Sequence, residues 1–469
     1  MACPLDGKVI DSWGEAKVLV EGWRKGYNRF RPHFTARYDA HFQMSGARGA
    51  EDMPERGSAM EHVDVIIVGA GQAGLAVSHE LSAAGIEHVV LERGRIGRTW
   101  RQRWDSFCLV TPNWTVQLPG YPYNGAEPDG FMPRDEIVGI LENYARSFGA
   151  PIREDVTVAT VESPSAGGFI LKTSSGELHS RILVLATGAF QRAHRPTVAD
   201  TLPPGLPQMD LYAYRNERAL PAGGVFIIGS GQSGAQISEE LREAGREVVL
   251  SCGKAPWLPR RLGDRDIVWW LAEAGFFDQS VEALPTPAAR LGANPLVTGH
   301  GGGRDLNLRT LRAMGVTLTG RFLGAQDGIA RFAPDLGESV AWGDQRYRDL
   351  MRLIGGRAAE LGISLQINEP EFFDAKAPES VDLSRFGVVL FTTGFRPDYR
   401  SWLPWPNAFD DLGFPLQKDG ASKVLPGLYF AGVHFLRTRK SSLLLGVGED
   451  ASIIARHVVL ALARSRPHT

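Results

Sequence analysis

Residues 63–93 read VDVIIVGAGQAGLAVSHELSAAGIEHVVLER. An apolar run ends on Gly69, Gly71 and Gly74 in the spacing GxGxxG, a helical pattern follows, and a second apolar run closes on Glu92 and Arg93. The pattern is strand, glycine turn, helix and strand. The first glycine permits the tight turn, the second lets a pyrophosphate approach the backbone, and the third lets helix and strand pack closely. The helix N-terminus adds free N–H groups and partial positive charge for the phosphates. Glu92 is placed to accept hydrogen bonds from ribose hydroxyls. These residues predict a dinucleotide site.

The pattern restarts at residues 223–251, GGVFIIGSGQSGAQISEELREAGREVVLS, with Gly229, Gly231, Ser233 and Gly234 in the second turn. The position equivalent to Glu92 holds Ser251, and Lys254, Arg260 and Arg261 follow. An acid there would repel a 2'-phosphate, whereas a serine with basic neighbours binds one through charge-assisted hydrogen bonds. A solvated basic loop is the alternative for the two arginines. FAD is therefore expected in the first unit and NADPH in the second, with hydride passing from nicotinamide to flavin.

Apolar strands run into Gly188 (LATG) before the second unit and Gly394 (TTG) after it. The fold class expected is α/β, with two Rossmann-like dinucleotide-binding domains, the second inserted into the first. Residues 61–210 and 381–469 are assigned to the FAD-binding domain and 211–380 to the NADPH-binding domain. Residues 1–60 mix aromatics and charges without a sustained period and read as an extension, either disordered or an ordered arm.

A net charge of -2 gives no reason to expect nucleic acid or an anionic membrane as partner. A small-molecule substrate fits better. The three cysteines, Cys3, Cys108 and Cys252, are too far apart for a disulfide framework or a Cys-x-x-Cys pair, so a cytoplasmic setting is expected and disulfide reductases of this architecture are set aside. No apolar stretch is long enough to span a membrane. The histidines, His79, His300 and His434 among them, lack ligand spacing, and no metal site is expected.

Between the units, the loop around RWDSFCLVTPNW (residues 103–114) is rich in aromatic and turn residues. Trp100 and Trp104 are expected beside the flavin, and Asn113 is a candidate donor to a flavin-bound oxygen, with an Asx turn after Pro112 as the alternative. Trp257, Trp269, Trp270, Phe276 and Phe277 read as pocket lining or as core. Before the last helix, Gly446, Gly448 and Glu449 offer a helix N-terminus to the reduced flavin, although Glu449 also reads as a favourable first-turn acid.

GAGQAG, RWDSFCLVTPNW, LATG, GSGQSG, TTGFRPD and RTRKSSLLLGVGEDA together resemble the flavin-containing monooxygenases, especially the shorter bacterial and YUCCA-type members, from about Val63 to Ala463. The resemblance implies FAD reduced by NADPH, dioxygen captured as a flavin C4a-hydroperoxide, and one oxygen passed to nitrogen, to sulfur or beside a carbonyl. The family's His-Ser pair before the second turn is replaced by Asp210 and Leu211, with Tyr214, Arg215 and Asn216 retained. That change singles out Asp210 and leaves open an NADPH-flavin oxidoreductase without oxygen insertion, or a dinucleotide-sensing protein.

Overall fold

A computed structural model of the chain describes residues 61–165 and 167–464, so the reading of residues 1–60 lies outside the described residues. The first apolar run forms β1 (Glu61–Val68), and α1 (Gln72–Ala83) begins directly after the glycine turn. The unit continues with β2 (His88–Leu91), α2 (Arg134–Ser147), β3 (Ile152–Arg153), β4 (Val158–Glu162), β5 (Phe169–Thr173) and β6 (Gly176–Leu185). β1 pairs in parallel with β2 on one side and with β6 on the other, in register Val68 to Leu91 and Val68 to Leu185. β4 and β5 form an antiparallel hairpin whose second strand pairs with the start of β6.

The chain then builds a second, wholly parallel sheet. Its strands are β7 (Gln208–Asp210), β8 (Gly224–Ile228), β9 (Val248–Ser251), β10 (Thr317–Thr319) and β11 (Phe386–Phe391), in spatial order β7-β11-β8-β9-β10. Helix α3 (Gln232–Glu243) follows the second glycine turn, and the long α4 (Leu336–Glu360) lies between β10 and β11 in the chain. The chain finally returns to the first sheet as β12 (Leu428–Phe430), beside the end of β6, and closes with α5 (Val447–Arg464), which packs on α1. The inserted arrangement is thus the observed one.

One boundary is corrected. β11, placed with the first domain by the limits 61–210 and 381–469, lies in the second sheet between β7 and β8. β7, which falls inside the same limits, is its edge strand. A strand buried on both faces carries no mark of which sheet it joins. The crossing between units lies at Arg192–Ala193 and Phe395–Arg396, which pair antiparallel just beyond Gly188 and Gly394.

Candidate functional site: two glycine turns joined by an aromatic loop

The two turns have the same internal geometry. Gly69 and Gly229 adopt φ of 110° and 108°, a region open to glycine, and a Cβ on either would press on the carbonyl of Ala186 or Thr392, at 2.5 and 2.8 Å. A Cβ on Gly74 or Gly234 would run into the carbonyl oxygen of Gly69 or Gly229. These four glycines serve chain packing. Gly71 and Gly231 differ: a Cβ on either meets nothing within 4 Å, so each faces open space at a helix start. That open face fits a diphosphate.

Each turn is also tied to a distant loop by its glutamine, a role the sequence reading missed although the residue recurs in GAGQAG and GSGQSG. Gln72 accepts from Trp100 Nε1 at 2.9 Å and donates to the Ser442 carbonyl at 3.1 Å, joining the first turn to the aromatic loop and to the segment before α5. Gln232 donates to the Val297 carbonyl at 2.5 Å and accepts from its N–H at 3.2 Å. Ser233 lies beside it, half-buried in the first turn of α3.

At the end of β2, the buried Glu92 accepts from Ala70 N at 2.9 Å and Gly94 N at 3.2 Å, so its carboxylate braces the turn, while Arg93 is exposed. Trp104 is buried and meets Phe107 edge to face, with ring centres 5.0 Å apart. Gly188 and Gly394 both adopt φ of 83° at strand exits, with no neighbour where a Cβ would stand.

Several expected roles are corrected. The Ser251 hydroxyl is buried, donating to the Gly320 carbonyl at 3.1 Å and accepting from Phe322 N at 2.9 Å, so it is spent on the sheet instead of facing a phosphate. Arg260 is buried in a bidentate pair with Asp266, with contacts of 2.5 to 2.7 Å, and also donates to the Val110 carbonyl; its guanidinium is a core brace. Arg261 and Lys254 remain exposed, Arg261 donating to the Asp264 carbonyl.

Asn113 is buried with both ends of its amide committed, Nδ2 to the Glu127 carbonyl at 2.9 Å and Oδ1 to Met132 N at 2.7 Å. It staples the loop across 127–132, and its Oδ1 is spent there instead of on an Asx turn. Gly446 and Gly448 are filled from the protein side, by Lys440 and by Pro119, and Glu449 pairs with Lys440 at 2.6 Å. Asp210 holds a two-pronged pair with Arg195 at 2.7 and 3.0 Å. Trp270 and Phe277 are buried in an apolar cluster, and Trp257 stacks on Tyr347.

Tyr214, Arg215 and Asn216 clamp the aromatic loop to the second unit. Asp105 N donates to the Arg215 carbonyl at 2.8 Å and Asn216 Nδ2 to Asp105 at 2.6 Å. Ser106 and Tyr214 both donate to the Glu240 carboxylate, at 2.6 and 2.8 Å. Burial raises the pKa of Glu240, and its two hydroxyl donors oppose that shift. The nearby Cys108 thiol is pushed up to about 11, chiefly by burial, and stays protonated at neutral pH; it is no nucleophile.

Two glycine turns of one geometry, each opening a helix beside parallel strands and coupled through one loop, belong to the two-domain Rossmann-type fold of FAD/NAD(P)-binding oxidoreductases. A family model described as pyridine nucleotide-disulphide oxidoreductase matches residues 66–271. A CzcO-like oxidoreductase of Geobacillus kaustophilus is 30% identical over 403 residues, covering 85% of this chain and 99% of the relative. The indole-3-pyruvate monooxygenase YUCCA4 of Oryza sativa is 27% identical over 482 residues, covering 91% and 95%. Among solved structures, a flavin-containing monooxygenase from Stenotrophomonas maltophilia is similar in fold, with a TM-score of 0.61 at 20% identity over 86% of this chain and 100% of that one. The chain belongs to the flavin monooxygenase family, whose cofactors are FAD and NADP. No helix among the described residues is long and apolar enough to cross a membrane.

Proposed function

We propose that the protein is an NADPH-dependent monooxygenase that places one oxygen atom of dioxygen on a small organic substrate, at nitrogen, at sulfur or beside a carbonyl, and releases the other as water. The observation that carries this reading is the pair of hydrogen bonds made by Gln72, which ties the first glycine turn to Trp100 of the aromatic loop and to Ser442 before α5. Bound FAD supplies the redox and oxygen chemistry. The Gly71 turn and the N-terminus of α1 hold its diphosphate, and Glu92 keeps that turn in shape. The Gly231 turn holds the diphosphate of NADPH. With Ser251 and Arg260 committed elsewhere, the exposed Lys254 is the 2'-phosphate contact, with Arg261 the second choice. The aromatic loop, clamped through Asp105, Ser106 and Glu240, excludes water between the units.

A second reading, electron transfer to dioxygen without insertion, is favoured by one observation. Asp210, where the family's His-Ser pair is replaced, is engaged by Arg195 instead of facing a cofactor. Mixing NADPH-reduced enzyme with oxygen in the presence of a panel of amines, thioethers and ketones separates the two. Peroxide below one per NADPH, with the deficit recovered as labelled product from ¹⁸O₂, supports oxygen insertion. One peroxide per NADPH with every compound overturns it. Lys254→Ala is expected to raise KM for NADPH about tenfold more than for NADH, and an equal rise removes Lys254 from the coenzyme site.

A further inference from the structure

Both strand exits lead into aromatic side chains that meet. Phe190 stands just beyond Gly188 and Phe395 directly follows Gly394, and their rings lie edge to face with centres 5.4 Å apart. Tyr212, at the entrance to the second unit, packs on Phe395 at 4.9 Å, and its hydroxyl donates to the Phe190 carbonyl. Gln191 fixes the first exit: it donates to the Gly188 carbonyl at 2.9 Å and accepts from Asp398 N at 2.6 Å. Phe190 is nevertheless 46% exposed, so much of its ring stays open where the two units meet.

Onto this group the aromatic loop lays one guanidinium. Arg103 lies 5.0 Å from the centre of the Phe190 ring and 5.6 Å from that of Phe107. Phe107 in turn packs on Trp100 at 6.0 Å, whose indole holds Gln72 of the first glycine turn. The Arg103 carbonyl accepts from Arg134 at 2.9 Å and, from the second unit, Arg215 at 3.2 Å. Its side chain makes no hydrogen bond or ion pair among the described residues, and its Nε is buried. Asp105, two residues on, is already shared by Arg134 and Asn216. Burial lowers the pKa of Arg103, as expected of a cation set among rings without a counter-ion.

A stacked guanidinium whose N–H edge has no acceptor is an unfinished site: the rings fix its plane, and the edge is left for oxygen atoms of a ligand. Ligands of open α/β sheets lie beyond the carboxyl ends of the strands, where both exits lead here. Arg103 and Phe107 come from the loop of the first unit, Tyr212 and Arg215 from the entrance to the second. The ligand that suits them is the one that must reach from the second glycine turn toward the first. We propose that Arg103 and Phe190 dock the nicotinamide half of NADP, its ring against Phe190 and its oxygens on the Arg103 fork. The inference rests on the two cofactors and not on oxygen insertion, so it goes beyond the function proposed above and holds for an oxidase as for a monooxygenase. The same guanidinium chemistry suits the anionic groups of FAD, and the test separates the two sources.

The FAD-loaded full-length protein is titrated calorimetrically in its oxidised state with NADP+ and with 2',5'-ADP, which carries the adenosine half and its 2'-phosphate but no nicotinamide. Arg103→Gln should weaken NADP+ about tenfold and Phe190→Ala about threefold, with 2',5'-ADP binding and FAD content unchanged. The Arg103 side chain holds no partner that its loss would strand; should Arg103→Gln still fail to fold, Phe190→Ala decides alone. NADP+ affinity that stays unchanged, or that falls only together with that for 2',5'-ADP or with FAD content, overturns the proposal. So does a shifted flavin midpoint potential with NADP+ binding intact, because the guanidinium then serves the flavin. Binding is read without turnover, so its failure is distinct from a failure of oxygen insertion, which the labelled-product assay reads.

Discussion

Replacing Arg260 with alanine should destabilise the protein and leave its choice of coenzyme untouched. The guanidinium is 3% exposed, braces Asp266 through both carboxylate oxygens, bonds the Val110 carbonyl and lies 4.5 Å from the centre of the Phe131 ring. Removing one partner of a buried pair strands the other charge, at a cost of about 3–5 kcal/mol. With an unfolding entropy of about 2.1 cal/mol/K per residue over roughly 400 ordered residues, that lowers Tm by about 4–6 °C. If the second unit unfolds separately, its smaller size makes the drop larger. Scanning calorimetry and guanidinium melts read the stability, and initial rates with NADPH and NADH read the preference. Arg260→Lys should rescue little, since one ammonium cannot replace a two-pronged fork. The double change Arg260→Met, Asp266→Leu should cost less than Arg260→Ala, because no charge is left buried. An unchanged Tm with a KM for NADPH raised tenfold over that for NADH would refute the reasoning and return Arg260 to the 2'-phosphate.

The glycine turns separate ligand space from chain packing: Gly71→Ala should leave apoprotein stability unchanged but reduce bound FAD severalfold, whereas Gly74→Ala, whose methyl collides with the Gly69 carbonyl, should lower the melting temperature of the apoprotein itself. Asn113→Ala strands Met132 N and the Glu127 carbonyl and should cost about 1–3 kcal/mol in denaturant melts, with rapid proteolysis between residues 127 and 132 as its local sign. His434, with a folded pKa near 4 against an ordinary value of 6.5, takes up its proton more readily in the unfolded chain, so it contributes stability that is present above pH 6.5 and lost as pH falls toward 4. His434→Asn should flatten the fall in denaturation midpoint between pH 6.5 and 4; parallel curves for the two proteins would refute it.

The two glycine turns were readable from sequence because phosphate binding is solved locally: the turn, its helix start and the acid at the next strand end all lie within one βαβ unit. The true work of Ser251 and Asn113 was not, since their partners, Gly320 and Phe322 or Glu127 and Met132, meet them only through the fold. Arg260 had a nearer clue. Asp266 follows six residues later, across the tight hairpin Arg261–Leu262 with Arg265–Asp266, a spacing that favours an internal ion pair. β11 misled for another reason: its apolar run records burial on both faces but not the identity of its neighbours, β7 and β8. Gln279 and Arg439, whose side chains meet at 2.6 Å, lie 160 positions apart, and no local pattern announces that pair.

The ribbon of Arg192–Ala193 with Phe395–Arg396 makes the part of this enzyme that carries the second sheet a cassette. Entry and exit run side by side there, so a related unit can be exchanged between Ala193 and Phe395 without respacing the first sheet. A transplant must bring with it the groups that cross the division: Tyr214, Arg215, Asn216 and Glu240 for Asp105 and Ser106, Arg260 for Val110, and Asp278, Gln279 and Val281 for Lys440, Arg439 and Arg437. The second glycine turn thereby becomes a part that evolution, or an engineer, can replace in one piece together with its sheet.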